Sequence, residues 1–341
     1  MISRFFLILL KSLAVVGLCL AVLWAAGALR FDFPWHSLRS AAAIGWLLVV
    51  GVALVRVRPF WRAFAGVAVA WLVLLAWWLT LKPSQERDWQ AEVAETPWAE
   101  IVGDQVTLHN VRHTAYRSLT DFTPQWETRT VQLSKVTGID LFVNYWGSPW
   151  MAHPILSFQF EDAPPICFTI ETRKEKGESY SAIGGLYRQF ELICIAADER
   201  DVIRLRTNYR VGEESFLYRF KVSPAQARAR FVEYLSLINQ LREQPRWYHA
   251  LTTNCTTAMR SHRPAAERLP WDWRLLVNGK GDEMLFDLGI IETGGRSFAE
   301  LRQQARINEV AQQAANDDGF FDLIRQGRVG FAGDRPAPLN R

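Results

Sequence analysis

The chain has 341 residues, with 39 Lys and Arg against 35 Asp and Glu, a formal net charge of +4. That length exceeds what one small domain needs, and the small basic excess is scattered without a Lys/Arg stripe, so no nucleic-acid partner is expected. Composition divides the chain. Residues 1 to 82 are rich in Leu, Ala, Val and Trp and hold Asp32 as their only acid, whereas the rest has the mixed character of a water-facing domain.

In chain order, the first apolar segment runs from Ser12 to Arg30, with Phe5 to Leu10 as a lead-in. A second runs from Ser40 to Val55 and a third from Ala63 to Leu81. A hydrocarbon core of about 30 Å takes roughly 20 apolar residues per helix, so residues 1–82 read as three transmembrane helices, the second of them short. A cleaved signal peptide has a shorter apolar region, and two more apolar segments follow at once, so the first is read as retained. Arg4 and Lys11 before the first segment, and Arg56, Arg58 and Arg62 before the third, outnumber Arg30 and Arg39 between the first two. The excess of Lys and Arg on cytoplasmic loops then places the N-terminus inside and everything after Lys82 outside. The expected location is a bacterial inner membrane with the C-terminal part in the periplasm.

Residues 83–95 are polar and read as a linker, and residues 96–341 as the exported domain. Strands are expected at Val106–His109, Val131–Leu133, Ile139–Tyr145, Ile155–Phe160, Ile166–Glu171, Leu192–Ala196, Val202–Arg206 and Phe216–Phe220, from their β-branched and aromatic content. The period then changes. Ser223-Pro224 is a capped helix start, and Phe231, Tyr234, Leu235, Ile238 and Leu241 follow at helical spacing up to Pro245. Shorter helices are expected from Asn254 to His262, around Phe298–Ala314 and around Phe320–Arg325. Strands first and helices later give an α+β class.

The stretch Thr252-Thr-Asn-Cys-Thr256 holds three competent N-cap residues ahead of Cys255. A cysteine in the first turn of a helix meets free amides and the positive dipole end, which lower its pKa. The same amides would suit an oxyanion, placing Asn254 and Thr256 beside the chemistry. The alternative is that Cys255 is a small buried hydrophobe. Of the six histidines, His153 has the best context for a base, at the start of a strand. Aligning the apolar rows Leu156, Phe158, Phe160 and Ile166, Phe168, Ile170 fixes a hairpin register. In that register His153 faces about Arg173, with Glu171 one pair away as candidate orienter of the imidazole; the alternative makes Glu171 an ordinary ion-pair partner of Arg173 or Lys174. The run Glu171 to Tyr180, including Arg173 and Tyr180, reads either as a solvated loop or as the lining of a substrate entrance. Tyr145 reads either as substrate contact or as packing. Cys167 and Cys194 are able to bridge in an oxidising compartment, which would leave Cys255 over, and the sequence leaves open whether they do. No zinc spacing, phosphate loop or serine elbow is present, so no cofactor or metal is expected.

The segments Tyr145-Trp-Gly-Ser-Pro-Trp-Met-Ala-His153, Ile170-Glu-Thr-Arg-Lys-Glu-Lys-Gly-Glu178 and Leu251-Thr-Thr-Asn-Cys-Thr-Thr257 resemble the Lnb N-terminal periplasmic domain family over roughly residues 90 to 310. The family is similar to permuted papain-like folds of the NlpC type, in which a strand histidine precedes a cysteine at a helix start. The resemblance implies thiol-dependent acyl transfer or lipid hydrolysis, with Cys255 as nucleophile, His153 as base and a membrane lipid or lipoprotein as acyl substrate. Two features depart from the family pattern: the membrane helices come first, and the His segment reads Met-Ala-His-Pro. The rival readings are a papain-like amidase or peptidase acting on cell-wall peptide, and a non-catalytic envelope interaction module on the same scaffold.

Overall fold

The computed structural model describes residues 2–253, 271–275, 278–315, 317 and 319–331. The chain divides into two compact units. One comprises Met1–Ser84, Ser179–Glu191 and Trp247–Ala250, and the other Gln85–Glu178, Leu192–Arg246 and Leu251–Arg341.

The first unit is built on helices α1 (Ile2–Asp32), α2 (Arg39–Arg56) and α3 (Phe60–Thr80). All three are long and apolar enough to cross a membrane. Their outward side chains include Leu20, Leu23, Val49 and Val73, each more than 60 % exposed. A helix that is apolar all round needs lipid or protein on every side. Leu18, Val50 and Val67 form the contact between the helices. Helix α1 starts earlier than the apolar pattern indicates, so Lys11 lies inside it, with its ammonium 5.8 Å from the Trp61 ring.

The second unit contains strands β1 (Trp98–Val102), β2 (Gln105–Arg112), β3 (Ala115–Tyr116), β4 (Phe122–Thr123), β5 (Trp126–Gln132), β6 (Val136–Tyr145), β7 (Ala152–Phe160), β8 (Ile166–Arg173), β9 (Glu191–Asp198) and β10 (Glu214–Arg219). Among the described residues the main sheet runs β1-β2-β9-β8-β7-β6-β10, with β5 also on β2, and β3 pairs β4 separately. Mixed helix and sheet follow the three apolar helices, which is an α+β exported domain behind a membrane anchor.

Two helical layers cover the sheet. Helix α5 (Pro224–Glu243) follows the short α4 (Glu199–Arg204) and starts with a Ser223/Gln226 capping box and Pro224 in its first turn. It buries Phe231 and Tyr234 against Phe158 and Phe168, with ring centroids 5.2–6.0 Å apart. The side chains between them in the alternation point to the opposite face. There Phe142, Ile155, Cys167 and Leu217 meet Val202 and Ile203 of α4 and the C-terminal residues Ile307, Ala311, Phe320 and Ile324. Helices α6 (Gly281–Asp287), α7 (Phe298–Ala305), α8 (Asn308–Gln313) and α9 (Phe320–Leu323) make up the described C-terminal part.

Several expectations change. Val202–Arg206 is helix and π-turn rather than strand: the Asp198 side chain accepts from Arg200 N, and Glu199 and Asp201 favour the helix start. The helix expected around Phe298–Ala314 is two. Arg306 is extended and bridges Phe216, and Ile307 N donates to Ser215 O at 2.9 Å, so the edge of β10 takes the backbone out of the helix. The polar stretch 83–95 is packed, with Trp89 and Val93 in the core and Gln90 N donating to Lys174 O. The β7–β8 register pairs Leu156 with Phe168 and Phe158 with Ile166, two residues from the expected alignment. The β8 ladder on this edge stops at Phe158, and Pro164 and Pro165 offer no N–H to extend it to Phe160. A slip of two keeps every side chain on its expected face.

Candidate functional site

His153 is the second residue of β7 and lies opposite Asn144 on β6. A buried polar chain fixes its backbone. Asn144 Nδ2 donates to His153 O at 3.1 Å, Ser215 Oγ donates to Asn144 Oδ1 at 2.7 Å, and Ser215 N donates to Asn308 Oδ1 at 2.8 Å. Each bond is shielded from water, so losing one partner leaves a buried polar group unpaired at about 1–3 kcal/mol.

The imidazole points to the side of the sheet shared by Thr169 and Glu171 of β8. Its Nε2 lies 2.5 Å from Thr169 Oγ1 and 3.5 Å from Glu171 Oε1. Thr169 Oγ1 donates to Glu171 Oε1 at 3.3 Å. With that hydroxyl proton directed at the carboxylate, the oxygen accepts from Nε2–H, and Nδ1 is left as the basic nitrogen; this tautomer is assigned from the hydrogen-bond pattern. Continuing the Leu156–Phe168 register by strand geometry brings Glu171 opposite His153, closer than the expected alignment placed it.

Arginines complete the surroundings. Arg206, on the π-turn Leu205–Tyr209, sits 3.5 Å from Glu171 Oε1 and 3.3 Å from Glu213 Oε2, and Arg210 is 3.2 Å from Glu213 Oε1. Burial lowers the His153 pKa, the Arg206 charge lowers it further, and Glu171 offsets only part of this. The imidazole is therefore neutral at neutral pH. Burial alone would raise the Glu171 carboxyl, but His153, Arg206 and Arg112 together hold it well below the usual carboxylate range. A cavity of about 70 Å³ opens beside Glu171 and Arg206, walled by Tyr116, Leu119, Phe122 and Lys174.

The other sequence candidates separate. Arg173 is buried, stacked on Trp89 at 4.2 Å, with its guanidinium donating to Val93 O and Ala94 O. It clamps the stretch before β1 and does not line an entrance. Tyr145 is also buried, its hydroxyl 2.7 Å from Asp282 Oδ1 and 3.1 Å from Arg302 Nη1, so packing describes it and substrate contact does not. Tyr180 belongs to the first unit, half exposed, with its ring stacked 6.2 Å from Phe190. Cys255, Asn254 and Thr256 lie outside the described residues.

Residues 122–279 match the family model of the Lnb N-terminal periplasmic domain. The exported part of this chain carries an Lnb-type domain. No match was found among curated proteins or among solved structures. The Lnb match begins at β4 and takes in His153, Thr169, Glu171, Arg206 and the Asn254-Cys-Thr256 segment. It is shorter at both ends than the motif resemblance indicated.

Within the Lnb domain two described cysteines can be compared. Cys167 and Cys194 are both free thiols rather than a disulfide, and both are buried. Burial pushes both thiols well up, away from the thiolate form. Sequence reading did not give Thr169 or Arg206 a role. Thr169 was detectable as the residue between Cys167 and Glu171 on the same strand face. Arg206 was hidden by the reading of its segment as a strand.

Proposed function

We propose that this chain is a membrane-anchored acyl-transfer enzyme in which Cys255 is the nucleophile and His153 its base. The observation that carries the reading is the neutral, buried imidazole whose Nε2 is engaged by Thr169 and Glu171, within an Lnb-type domain. Of the exported domain's cysteines, Cys167 and Cys194 have thiols suppressed by burial, which favours Cys255. A membrane anchor that holds such a site near lipid raises the effective concentration of lipid-borne substrate. The N-terminus is read as cytoplasmic.

The chemistry balances as follows. His153 takes the Cys255 proton, and the thiolate attacks the carbonyl of an acyl ester carried by a membrane lipid or lipoprotein. Collapse of the tetrahedral adduct breaks the ester bond, and the imidazolium returns its proton to the departing alkoxide. An amine or water then attacks the thioester, loses its proton to His153 and frees the cysteine sulfur, which is reprotonated. Backbone amides at Asn254 and Thr256 would carry the oxyanion, and Glu171, through Thr169, would hold the tautomer and stabilise the imidazolium.

The test uses the full-length protein in vesicles containing phospholipid with a labelled acyl chain. Hydroxylamine-labile label is expected on the wild-type chain and none on Cys255→Ser. His153→Ala should label about 10²–10⁴-fold more slowly, and Thr169→Val more slowly with a changed pH profile. Label that persists on Cys255→Ser, or a rate indifferent to His153, would overturn the assignment.

A further inference from the structure

The exported chain sends Ser179–Glu191 back to the membrane helices, in one compact unit with them. The Tyr187 ring stacks on Phe31 at 5.3 Å and lies 6.4 Å from Trp24, which itself packs edge-on against Trp71 and Trp78 of α3. Gly27 of α1 has the Tyr187 hydroxyl directly against it, where any Cβ would collide. Gly27 lies five residues before the end of α1, so Tyr187 reaches about 7–8 Å down the helix at 1.5 Å per residue. Arg188 closes the junction: its N donates to Asp32 Oδ2, and its Nη1 donates to Trp78 O and Leu81 O at the end of α3.

A loop beside lipid must satisfy its own amides, because hydrocarbon offers no hydrogen bonds. This one does so through five consecutive residues. Gly184 N donates to Ser181 Oγ, Gly185 N to Ser181 O, Leu186 N to Ile183 O, Tyr187 N to Gly184 O, and Arg188 N to Asp32. Meanwhile its apolar side chains face outward. Ile183 is 63 % exposed and Leu186 38 %, beside the 62 % of lipid-facing Leu20 on α1. Backbone amides bonded from Gly184 to Arg188, outward aliphatics and contact with spanning helices point to one solvent.

We propose that Ser179–Glu191 is a lipid-inserted segment of the exported chain, with Ile183 and Leu186 entering the leaflet on the exported side and the tyrosines at headgroup level. Trp247–Ala250 is fastened to it, Ala250 N donating to Gly185 O and Tyr248 N to Phe190 O. Ala250 precedes Cys255 by five residues in the chain. The insertion itself stands whether or not Cys255 is acylated.

The test places the full-length protein in vesicles of phosphatidylethanolamine and phosphatidylglycerol. Ile183→Cys carries a nitrobenzoxadiazole label in a Cys19→Ser, Cys255→Ser background, and Val211→Cys, on an open turn of the exported domain, is the reference. Lipids spin-labelled on the acyl chain should quench position 183 several-fold more than 211, and aqueous iodide should show the reverse order. Equal iodide quenching at the two positions overturns insertion. Protection of 183 from both quenchers, lost in nanodiscs holding one copy, would assign the face to a second copy and overturn it equally. The readout is blind to catalysis, so its failure is distinct from failure of the acyl-transfer reading.

Discussion

Removing Arg325 tests whether the C-terminal segment completes the exported domain. Its guanidinium, largely buried, lies between two fully buried carboxylates: Nε is 2.8 Å from Asp140 Oδ2, and the two Nη atoms are 2.9 and 2.5 Å from the Glu199 oxygens. In Arg325→Met, Asp140 keeps Arg219 at 2.7 Å, but among the described residues Glu199 is left with neutral partners, Ser157 and Gln159. Breaking a buried pair by removing one partner costs about 3–5 kcal/mol. For a domain of this size 1 kcal/mol moves the midpoint by about 2–4 °C, so a fall of roughly 6–20 °C is expected. The sign with pH follows from the carboxyls. Burial already raises Asp140, which Arg325 partly offsets, and without Arg325 that acid would bind its proton more readily still in the folded chain. The variant's deficit should therefore shrink as pH falls from 8 toward 5, and a second substitution, Glu199→Gln, should recover part of it. The assay is thermal unfolding in detergent followed by far-ultraviolet circular dichroism. A change within about 0.5 kcal/mol, as for a surface substitution, would refute the network's role.

Two further outcomes are expected. Because burial and then Arg206 lower the His153 pKa, the acid limb of Cys255 alkylation should lie below the ordinary imidazole value of about 6.5, and Arg206→Gln should move it upward; an unmoved limb would remove Arg206 from the electrostatics of the site. The same depression makes neutral His153 a contribution to stability that is present above the ordinary value and lost as pH falls through the lowered one. Without reductant, Cys167 and Cys194 should resist alkylation in the native protein and both react on unfolding; thiols that stay blocked after unfolding would mean a disulfide.

Local chemistry was read most easily where the chain states it twice. The Ser223-Pro224 start and the helical spacing of Phe231 to Leu241 agree, and α5 lies there. Alternation on β7 and β8 placed His153, Thr169 and Glu171 on one face whichever even register held. The registry itself was not legible, because apolar rows match equally well two residues apart. Val202 and Ile203 resemble strand residues, but the Asp198 cap and the first-turn acids outweigh them, and Asp201 also receives Arg112 at 2.7 Å in a buried ion pair. Arg206 was lost with it. The packing of residues 83–95 was unreadable because it depends on Arg173, some eighty residues away, donating to the carbonyls of Val93 and Ala94.

Arg325 stands 185 residues after the carboxylate it neutralises. A chain emerging from the membrane N-terminus first presents Asp140, Glu199 and the apolar face of the sheet long before Phe320, Ile324 and Arg325 arrive to cover them. Contacts of such long sequence separation form late. The domain should thus mature after translocation rather than during it, with an interval in which its half-built sheet depends on envelope chaperones, and in which a truncated product is recognisable to proteases by that uncovered face.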